Sequence, residues 1–119
     1  MSKRANPEAV LQKSVAQFLR AALKPGVMWR MVENNPRSAI AGARAKARGV
    51  QRGTPDILLW CYDGFFAIEL KSKVGRQSPE QKDFQHEFES VGGLYAVCRS
   101  LSEVEAVLRQ WKLPMRGIS

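Results

Sequence analysis

The stretch that decides the fold runs from residue 56 to residue 71 and reads DILLWCYDGFFAIELK. Its two apolar runs are separated by Asp63-Gly64, a dipeptide suited to the type I′ turn of a two-residue β-hairpin. Both faces of the two predicted strands are apolar, so the sheet needs cover on both sides. The stretch therefore predicts an α/β sandwich.

Three polar residues interrupt the apolar pattern of this hairpin: Asp56, Glu69 and Lys71. With Asp63 and Gly64 as the two loop residues, Asp56 lies opposite Lys71. Glu69 and Lys71 are two residues apart and share a face of the strand. Directly opposed residues also share a face, so the three side chains are expected to converge, with Glu69 on the diagonal from Asp56.

Two interpretations of this group remain open. Two carboxylates and an ammonium on a mostly buried hairpin are costly to desolvate unless something compensates them. A hard divalent cation such as Mg²⁺ compensates them, because it takes a few carboxylate oxygens and leaves positions for phosphate oxygens and an attacking water. The lysine would then offset developing negative charge. The alternative is a structural salt bridge between Lys71 and either acid.

The elements around the hairpin are predicted from caps and hydrophobic periodicity. They are a helix from Asn6 that ends at Lys24-Pro25-Gly26, a β-prone VMWRMV, a helix that begins at Ser78-Pro79-Glu80-Gln81 and ends at Gly92-Gly93, a buried LYAVCR strand, and a helix after Ser100. Before the hairpin, RSAIAGARAKARG is either a basic helix or a loop that orders on a partner.

The charge of the 119-residue chain is unevenly distributed. The formal net charge is +8, but residues 1–53 hold 11 basic and two acidic residues, whereas residues 54–119 hold eight basic and nine acidic residues. The basic excess indicates a polyanionic partner, and all of it lies in the first half. The length fits one domain.

Several classes of protein are disfavoured by composition. No apolar run approaches the roughly 18 residues of a membrane span, and MSKRANPEAV lacks the apolar core of a signal peptide. We therefore expect a cytoplasmic protein with no membrane partner. Cys61 and Cys98 lie in apolar runs and are expected to be free buried thiols. The absence of a His/Cys cluster argues against zinc.

Three short motifs follow one another along the chain. They are Gly53-Thr54-Pro55-Asp56 as GxPD, Ile68-Glu69-Leu70-Lys71 as ExK, and Ser78-Pro79-Glu80-Gln81 as SxxQ. In this order and spacing they resemble the VRR-NUC branch of the PD-(D/E)XK nuclease superfamily, from about Glu8 to Trp111. The resemblance implies one nuclease domain over residues 1–119 with its core at about 6–112. The expected fold is a restriction-endonuclease-like α/β core, a central mixed β-sheet flanked by helices on both faces.

The resemblance also implies a metal-dependent DNA endonuclease. Asp56 and Glu69 would bind Mg²⁺ or Mn²⁺, the Leu70 carbonyl would add a ligand, and Lys71 would assist the attacking water. The chain is similar to stand-alone phage and bacterial members, which implies a cytoplasmic setting in a bacterial or phage-infected cell. Such members are associated with branched DNA such as four-way (Holliday) junctions and act as homodimers.

Two further site candidates have structural alternatives. Glu8 lies on the inward stripe of the first helix, where the family pattern places a metal-binding acid, but the helix dipole alone favours an acid in the first turn. Gln81 matches the family's SxxQ and is a candidate catalytic residue. A glutamine three residues after a capping serine also has a sufficient role in a capping box.

Basic and polar residues around the motifs are candidates for contact with DNA phosphates. A basic run leading into a metal site is well placed for a DNA backbone, and such contacts weaken with salt. Exposed basic side chains are otherwise simply solvated. The candidates are Asn35, Arg37, Arg44, Lys46, Arg48 and Arg52 before the hairpin, and Lys73 and Arg76 after it.

Two rival functions remain open. One is a non-catalytic nucleic-acid-binding module whose Asp/Glu/Lys group is a structural ion pair. The other is an assembly or interaction protein, which leaves the buried acids unexplained.

Overall fold

The computed structural model describes residues 6–32, 43–44, 47–49 and 53–117. Its elements are α1 (Pro7–Ala22), β1 (Met28–Met31), β2 (Ile57–Cys61), β3 (Gly64–Leu70), α2 (Pro79–Ser90), β4 (Leu94–Cys98) and α3 (Leu101–Gln110). This is the order of helices and strands that the sequence predicts outside the basic segment. Within these described ranges, no helix has the length and apolar character needed to cross a membrane.

The four strands form one mixed sheet in the order β1-β2-β3-β4. Strands β1, β2 and β3 are joined antiparallel, whereas β3 and β4 are parallel. A parallel pair needs a crossover connection, and α2 provides it between β3 and β4. Strand β3 is therefore a central strand whose side chains from Phe66 to Leu70 are buried.

The main core lies on one face of the sheet, under α1 and α3. Ile57, Leu59 and Ile68 of the hairpin are fully buried there, together with Leu19 of α1 and Leu108 of α3. Burial of each such side chain stabilises the fold by about 1.5–3 kcal/mol. The alternation of Ile57 and Leu59 along β2 thus fixes which face of the hairpin points to this core.

Helix α2 packs on the opposite face of the sheet through aromatic side chains. Phe88 meets Phe65 of β3 edge-on, with ring centroids 5.1 Å apart, and Phe84 and Phe88 each lie 6.3 Å from the ring of Tyr95 on β4. Helices therefore lie on both faces of a mixed sheet, which confirms the predicted α/β architecture.

The helix starts follow the predicted caps. The Asn6 side chain accepts hydrogen bonds from the backbone N–H groups of Glu8 (2.9 Å) and Ala9 (3.4 Å), with Pro7 in the first turn. The Ser100 hydroxyl accepts from the Glu103 N–H of α3 at 3.2 Å. These bonds satisfy backbone donors that a helix leaves unpaired at its start.

Both cysteines are free, as expected, but only Cys98 is fully buried. Burial, with the charge of Glu103 adding to it, raises the pKa of the Cys98 thiol to about 12, so this thiol is an inert part of the core. Cys61 is half-buried, which corrects the expectation of a buried thiol at that position.

The turn of the central hairpin differs from the prediction. Cys61 pairs with Gly64, so Tyr62 and Asp63 are the two loop residues, and the predicted Asp63-Gly64 loop is wrong. The turn is not of type I′, which requires positive φ at both loop residues, because the only described non-glycine residue with positive φ is Lys112. Gly64 is instead the first residue of β3.

The register consequently shifts without changing any face. Ile57 pairs with Ile68 at the end of the β2–β3 ladder, whereas the predicted loop would pair Ile57 with Leu70, so the predicted pairing of Asp56 with Lys71 is wrong. A register shift of two residues keeps every side chain on its original face of the sheet, whereas a shift of one residue would move them all to the other face. The hydrophobic pattern therefore predicts the faces correctly but does not distinguish between the two turns.

The loop before β2 passes directly over the first turn of α2. Gly53 has φ +90°, and a Cβ atom there would lie 2.4 Å from the Glu80 carbonyl oxygen and 3.0 Å from the Gln81 nitrogen. Only a residue without a side chain fits both this backbone conformation and this approach. The contact brings the GxPD and SxxQ segments together through their main chains.

Gly53→Ala is expected to destabilise the protein more than Gly26→Ala does. Gly26 is the matched control, because it has φ +107° but open space where its Cβ would lie. Both variants carry the cost of positive φ, about 1–2 kcal/mol, and only Gly53→Ala adds a steric cost of about 1–3 kcal/mol. Urea denaturation measures both free energies of unfolding, and equal losses would contradict the close backbone contact.

Candidate active site

Glu69 is the only fully buried charged residue among those described. Its Oε1 accepts a hydrogen bond from the Tyr95 hydroxyl at 2.5 Å and a longer one from Gln77 Nε2 at 3.2 Å. Its Oε2 lies 3.6 Å from Lys71 Nζ and has no hydrogen-bond partner. A buried carboxylate oxygen without a donor is costly, and a cation bound to this oxygen would offset that cost.

Lys71 follows β3 directly, and its side chain is only 12% exposed. Its backbone N–H donates to the Cys98 carbonyl at 3.0 Å, which continues the parallel pairing of β3 and β4 by one residue. The main chain thus places the ammonium beside Glu69, on the same side of the sheet.

Asp56 lies at the start of β2 and joins three elements. Its Oδ2 accepts from the Leu70 N–H at 2.7 Å, and its Oδ1 accepts from Gln12 Nε2 of α1 at 2.9 Å. Its own carbonyl accepts from the Val32 N–H at 2.7 Å, just beyond β1. The Asp56 carboxylate is therefore held at the end of the hairpin ladder, beside the residue that separates Glu69 from Lys71.

The electrostatic surroundings raise the pKa of Asp56 above its ordinary value. Burial is the largest cause, and the negative charge of Glu69 acts in the same direction. The hydrogen bonds from Leu70 and Gln12 and the positive charge of Lys71 oppose the shift. The structure places Lys71 beside Glu69, with Nζ and Oε2 3.6 Å apart, and joins the Asp56 carboxylate to the N–H of Leu70, the residue between them.

The donor set fits a hard cation that needs few protein ligands. The described residues include no group of three or more His, Cys, Asp or Glu side chains able to hold a metal ion. Two carboxylates suffice for Mg²⁺, which keeps several waters. Asp56, Glu69 through its unpartnered Oε2, and the Leu70 carbonyl are the groups available in this chain.

Glu8 is not brought into such a group with the two acids. It is half-exposed in the first turn of α1, one turn before Gln12. From α1, it is the neutral amide of Gln12 that reaches Asp56. A metal-binding role for Glu8 stays a prediction.

Gln81 forms the capping box that the sequence offers as its structural role. Its side-chain Oε1 accepts from the Ser78 N–H at 2.8 Å, and its own N–H donates to Ser78 Oγ at 3.1 Å. Through the contact with Gly53, Gln81 is also close to the loop that leads into Asp56. A catalytic role for Gln81 stays a prediction.

The loop between β3 and α2 presents Lys73 and Arg76, both exposed. The shape of this loop is held by Arg99, whose Nη1 donates to the carbonyls of Ser72 and Gly75 at 2.6 Å each. The guanidinium of Arg99 thus stabilises the main chain of the loop, whereas Lys73 and Arg76 are exposed to solvent.

The remaining DNA-contact candidates are partly described. Arg44 and Arg48 are exposed, and the Arg48 N–H donates to the Arg44 carbonyl at 3.2 Å, as in a helix. The other candidates lie outside the described residues: Asn35, Arg37, Lys46 and Arg52.

Sequence reasoning missed four residues that contact the site or shape its loop: Gln12, Gln77, Tyr95 and Arg99. Gln12 carried a detectable signal, because it lies one helical turn after Glu8. Tyr95 carried none, since it shares a face with Glu69 only through the parallel register, in which Ala67 pairs with Tyr95.

The sheet topology is that of a restriction-endonuclease-like α/β domain, and solved structures share this fold. A solved structure named "VRR_NUC domain" has a TM-score of 0.63 and 19% sequence identity, covering 90% of this chain and 99% of the other. Another, "VRR_NUC domain protein", has a TM-score of 0.70 and 20% identity, covering 94% of this chain and 93% of the other.

The chain belongs to the VRR-NUC family, because the family model described as the VRR-NUC domain matches residues 3–102. This confirms the family resemblance of the three motifs and makes the chain a domain of the nuclease type. The comparison with curated proteins gives no match.

The stability of Asp56→Asn relative to the parent is expected to increase from about pH 4 to neutral pH. The folded protein holds the Asp56 proton more tightly than the unfolded chain, whose ordinary value is 3.8. The contribution of Asp56 to the free energy of unfolding is therefore fully present below pH 3.8. It is lost as the pH rises through the raised pKa of the folded state. Asparagine does not titrate, so the advantage of the variant grows from about pH 4 to about pH 7.

Urea denaturation in the presence of a chelator measures this difference at each pH. Asp63→Asn is the control, because Asp63 lies exposed in the hairpin turn. An advantage of Asp56→Asn that is the same at both pH values would contradict the raised pKa of Asp56.

Proposed function

We propose that the chain is a metal-dependent DNA endonuclease that hydrolyses phosphodiester bonds with Mg²⁺ or Mn²⁺. The observation that carries the proposal is the fully buried Glu69, whose Oε2 has no hydrogen-bond partner and lies beside Lys71, with Asp56 at the end of the same hairpin. Membership of the VRR-NUC family supports the choice of a nuclease over other metal-dependent hydrolases.

Asp56, Glu69 and the Leu70 carbonyl are the groups that would hold the cation. When bound, such an ion neutralises charge on the phosphate and lowers the pKa of a water molecule that attacks it. The backbone N–H of Leu70 and the amide of Gln12 hold the Asp56 carboxylate in place for this role. The Tyr95 hydroxyl and Gln77 do the same for Glu69.

Lys71 supplies the positive charge that the reaction needs. Its ammonium is an obligate donor with three N–H groups, and it is near Glu69 without being hydrogen-bonded to it at 3.6 Å. It is therefore free to donate to a phosphate oxygen or to orient the water. Attack forms a bond from the water oxygen to phosphorus and breaks the bond to the 3′ oxygen, which leaves 5′-phosphate and 3′-hydroxyl ends.

The DNA backbone would be held by exposed basic side chains that precede and follow the site residues in the sequence. Lys73 and Arg76 extend from the loop directly after Lys71, and Arg44 and Arg48 are exposed on the segment before the hairpin. We propose that Asn35, Arg37, Lys46 and Arg52, which lie outside the described residues, also contact DNA phosphates. Contacts of this kind position DNA without reading its sequence.

We further propose branched DNA, such as four-way junctions, as the substrate and a homodimer as the acting form. The described residues of one chain hold one acid-lysine group, so paired cuts on two strands need two subunits. Gel assays on a panel of branched and linear substrates, with light scattering for mass, test both points. Equal cleavage of linear and branched DNA would contradict the substrate preference.

Asp56→Ala and Lys71→Ala are each expected to slow DNA cleavage in Mg²⁺ by at least about 100-fold. The aspartate loss removes a metal-binding carboxylate and the lysine loss removes charge stabilisation, which typically contributes about 10²–10³ in rate. Initial rates on a labelled four-way junction measure the effect.

The matched controls for these variants are Asp63→Ala and Lys82→Ala. Both residues are exposed, one in the hairpin turn and one on the outer side of α2. Both controls are expected to cleave at the parent rate. Parent-like cleavage by Asp56→Ala or Lys71→Ala would show that the catalytic assignment is wrong.

A non-catalytic nucleic-acid-binding module is the second candidate function. The observation that favours it is the Glu69–Lys71 contact, which already pairs the two opposite charges without a metal ion. In that case the ion pair is purely structural, and breaking such a buried pair costs about 3–5 kcal/mol.

Calorimetric titration with Mn²⁺ separates these two functions. The nuclease proposal requires cation binding by the parent and its loss in Glu69→Gln, a variant that removes the charge but keeps an oxygen for Tyr95 to donate to. The alternative requires no binding by the parent and only a lower free energy of unfolding in the variant. Binding that survives in Glu69→Gln would place the cation elsewhere.

A further inference from the structure

The two oxygens of the Glu69 carboxylate have different surroundings. Oε1 accepts two hydrogen bonds, from Tyr95 and Gln77, whereas Oε2 accepts none and faces Lys71. Both oxygens of an ionised carboxylate can accept hydrogen bonds. The asymmetry means that one oxygen is occupied by the protein while the other is left available.

Tyr95 is placed rigidly enough to hold Oε1. It lies on β4, where the parallel register pairs it with Ala67, two residues before Glu69 and on the same face. Its ring packs against Phe84 and Phe88 of α2, with both centroid distances at 6.3 Å. The Tyr95 hydroxyl donates to Glu69 Oε1 at an O···O distance of 2.5 Å.

Gln77 supplies the second donor and is itself held by a neighbour. Its Nε2 donates to Glu69 Oε1 at 3.2 Å and to Gln85 Oε1 of α2 at 2.9 Å. Gln85 in turn donates to Glu89 at 3.4 Å. These hydrogen bonds join Gln77 to Gln85 and Glu89 of α2, so the helix that covers Tyr95 also positions Gln77.

We infer that Tyr95 and Gln77 are positioning residues that hold Oε1 of Glu69 so that Oε2 is the oxygen presented to a divalent cation. The inference rests on the proposed function. Residues that hold a metal-binding side chain by hydrogen bonds set its orientation, and their removal typically weakens metal affinity by about 10–100-fold.

Tyr95→Phe is expected to raise the Kd for Mn²⁺ by about 10-fold or more, because it removes the donor but keeps the ring. Tyr62→Phe is the matched control, since Tyr62 is the other tyrosine of the chain and is fully exposed in the hairpin turn. The control is expected to bind Mn²⁺ with the parent Kd. Isothermal titration of the full chain at fixed pH, without DNA, measures all three.

Gln77→Met gives an independent measurement if Tyr95→Phe does not fold. Gln77 is half-buried in a loop, and methionine keeps its length without a donor. It is expected to weaken Mn²⁺ binding in the same direction. Cleavage by either variant is expected to recover when the Mn²⁺ concentration is raised above the new Kd, which loss of a purely structural contact would not produce.

The outcomes distinguish this inference from the proposed function. If the parent binds Mn²⁺ and cleaves DNA but folded Tyr95→Phe and Gln77→Met bind Mn²⁺ with the parent Kd, the positioning role is wrong and the nuclease stands. A lower melting temperature with an unchanged Kd also contradicts the positioning role. If the parent itself binds no Mn²⁺, both the proposed function and the inference fail.

Discussion

The structure depends on how it compensates one buried carboxylate. Glu69 lies in the central strand of the sheet, out of contact with water, where an ionised group without partners would cost many kcal/mol. Tyr95 from β4, Gln77 from the loop before α2 and Lys71 from the end of β3 each reduce this cost. Every element on that side of the sheet thus contributes to keeping one charge buried.

This compensation is incomplete in a specific way. Lys71 provides charge but no hydrogen bond at 3.6 Å, and Oε2 is left without a donor. A purely structural ion pair is most stable when hydrogen bonds satisfy all of its polar atoms. The arrangement therefore gives up stability at the position where a cation would bind, as active sites commonly do.

The sequence predicts the faces of the hairpin and the convergence of Asp56, Glu69 and Lys71. Successive residues of a strand point to alternate faces of the sheet, so this prediction does not need the exact pairing. The turn is not predicted correctly, because a loop of Tyr62 and Asp63 and a loop of Asp63 and Gly64 put every side chain on the same face. The hydrophobic pattern therefore fits both loops. Tyr95 is beyond sequence reasoning for a different reason. It meets Glu69 through the parallel register of β3 and β4, which depends on how α2 packs across the sheet.

The backbone contact at Gly53 links the stability of two parts of the molecule. Helix α2 has no fully buried residue, so less free energy anchors it than anchors α1 or α3. Because the loop leading to Asp56 rests on the first turn of α2, with no side chain between them, the loop loses its support whenever that turn opens. In hydrogen exchange, the two segments would therefore form one cooperative unit that opens well below the global unfolding free energy.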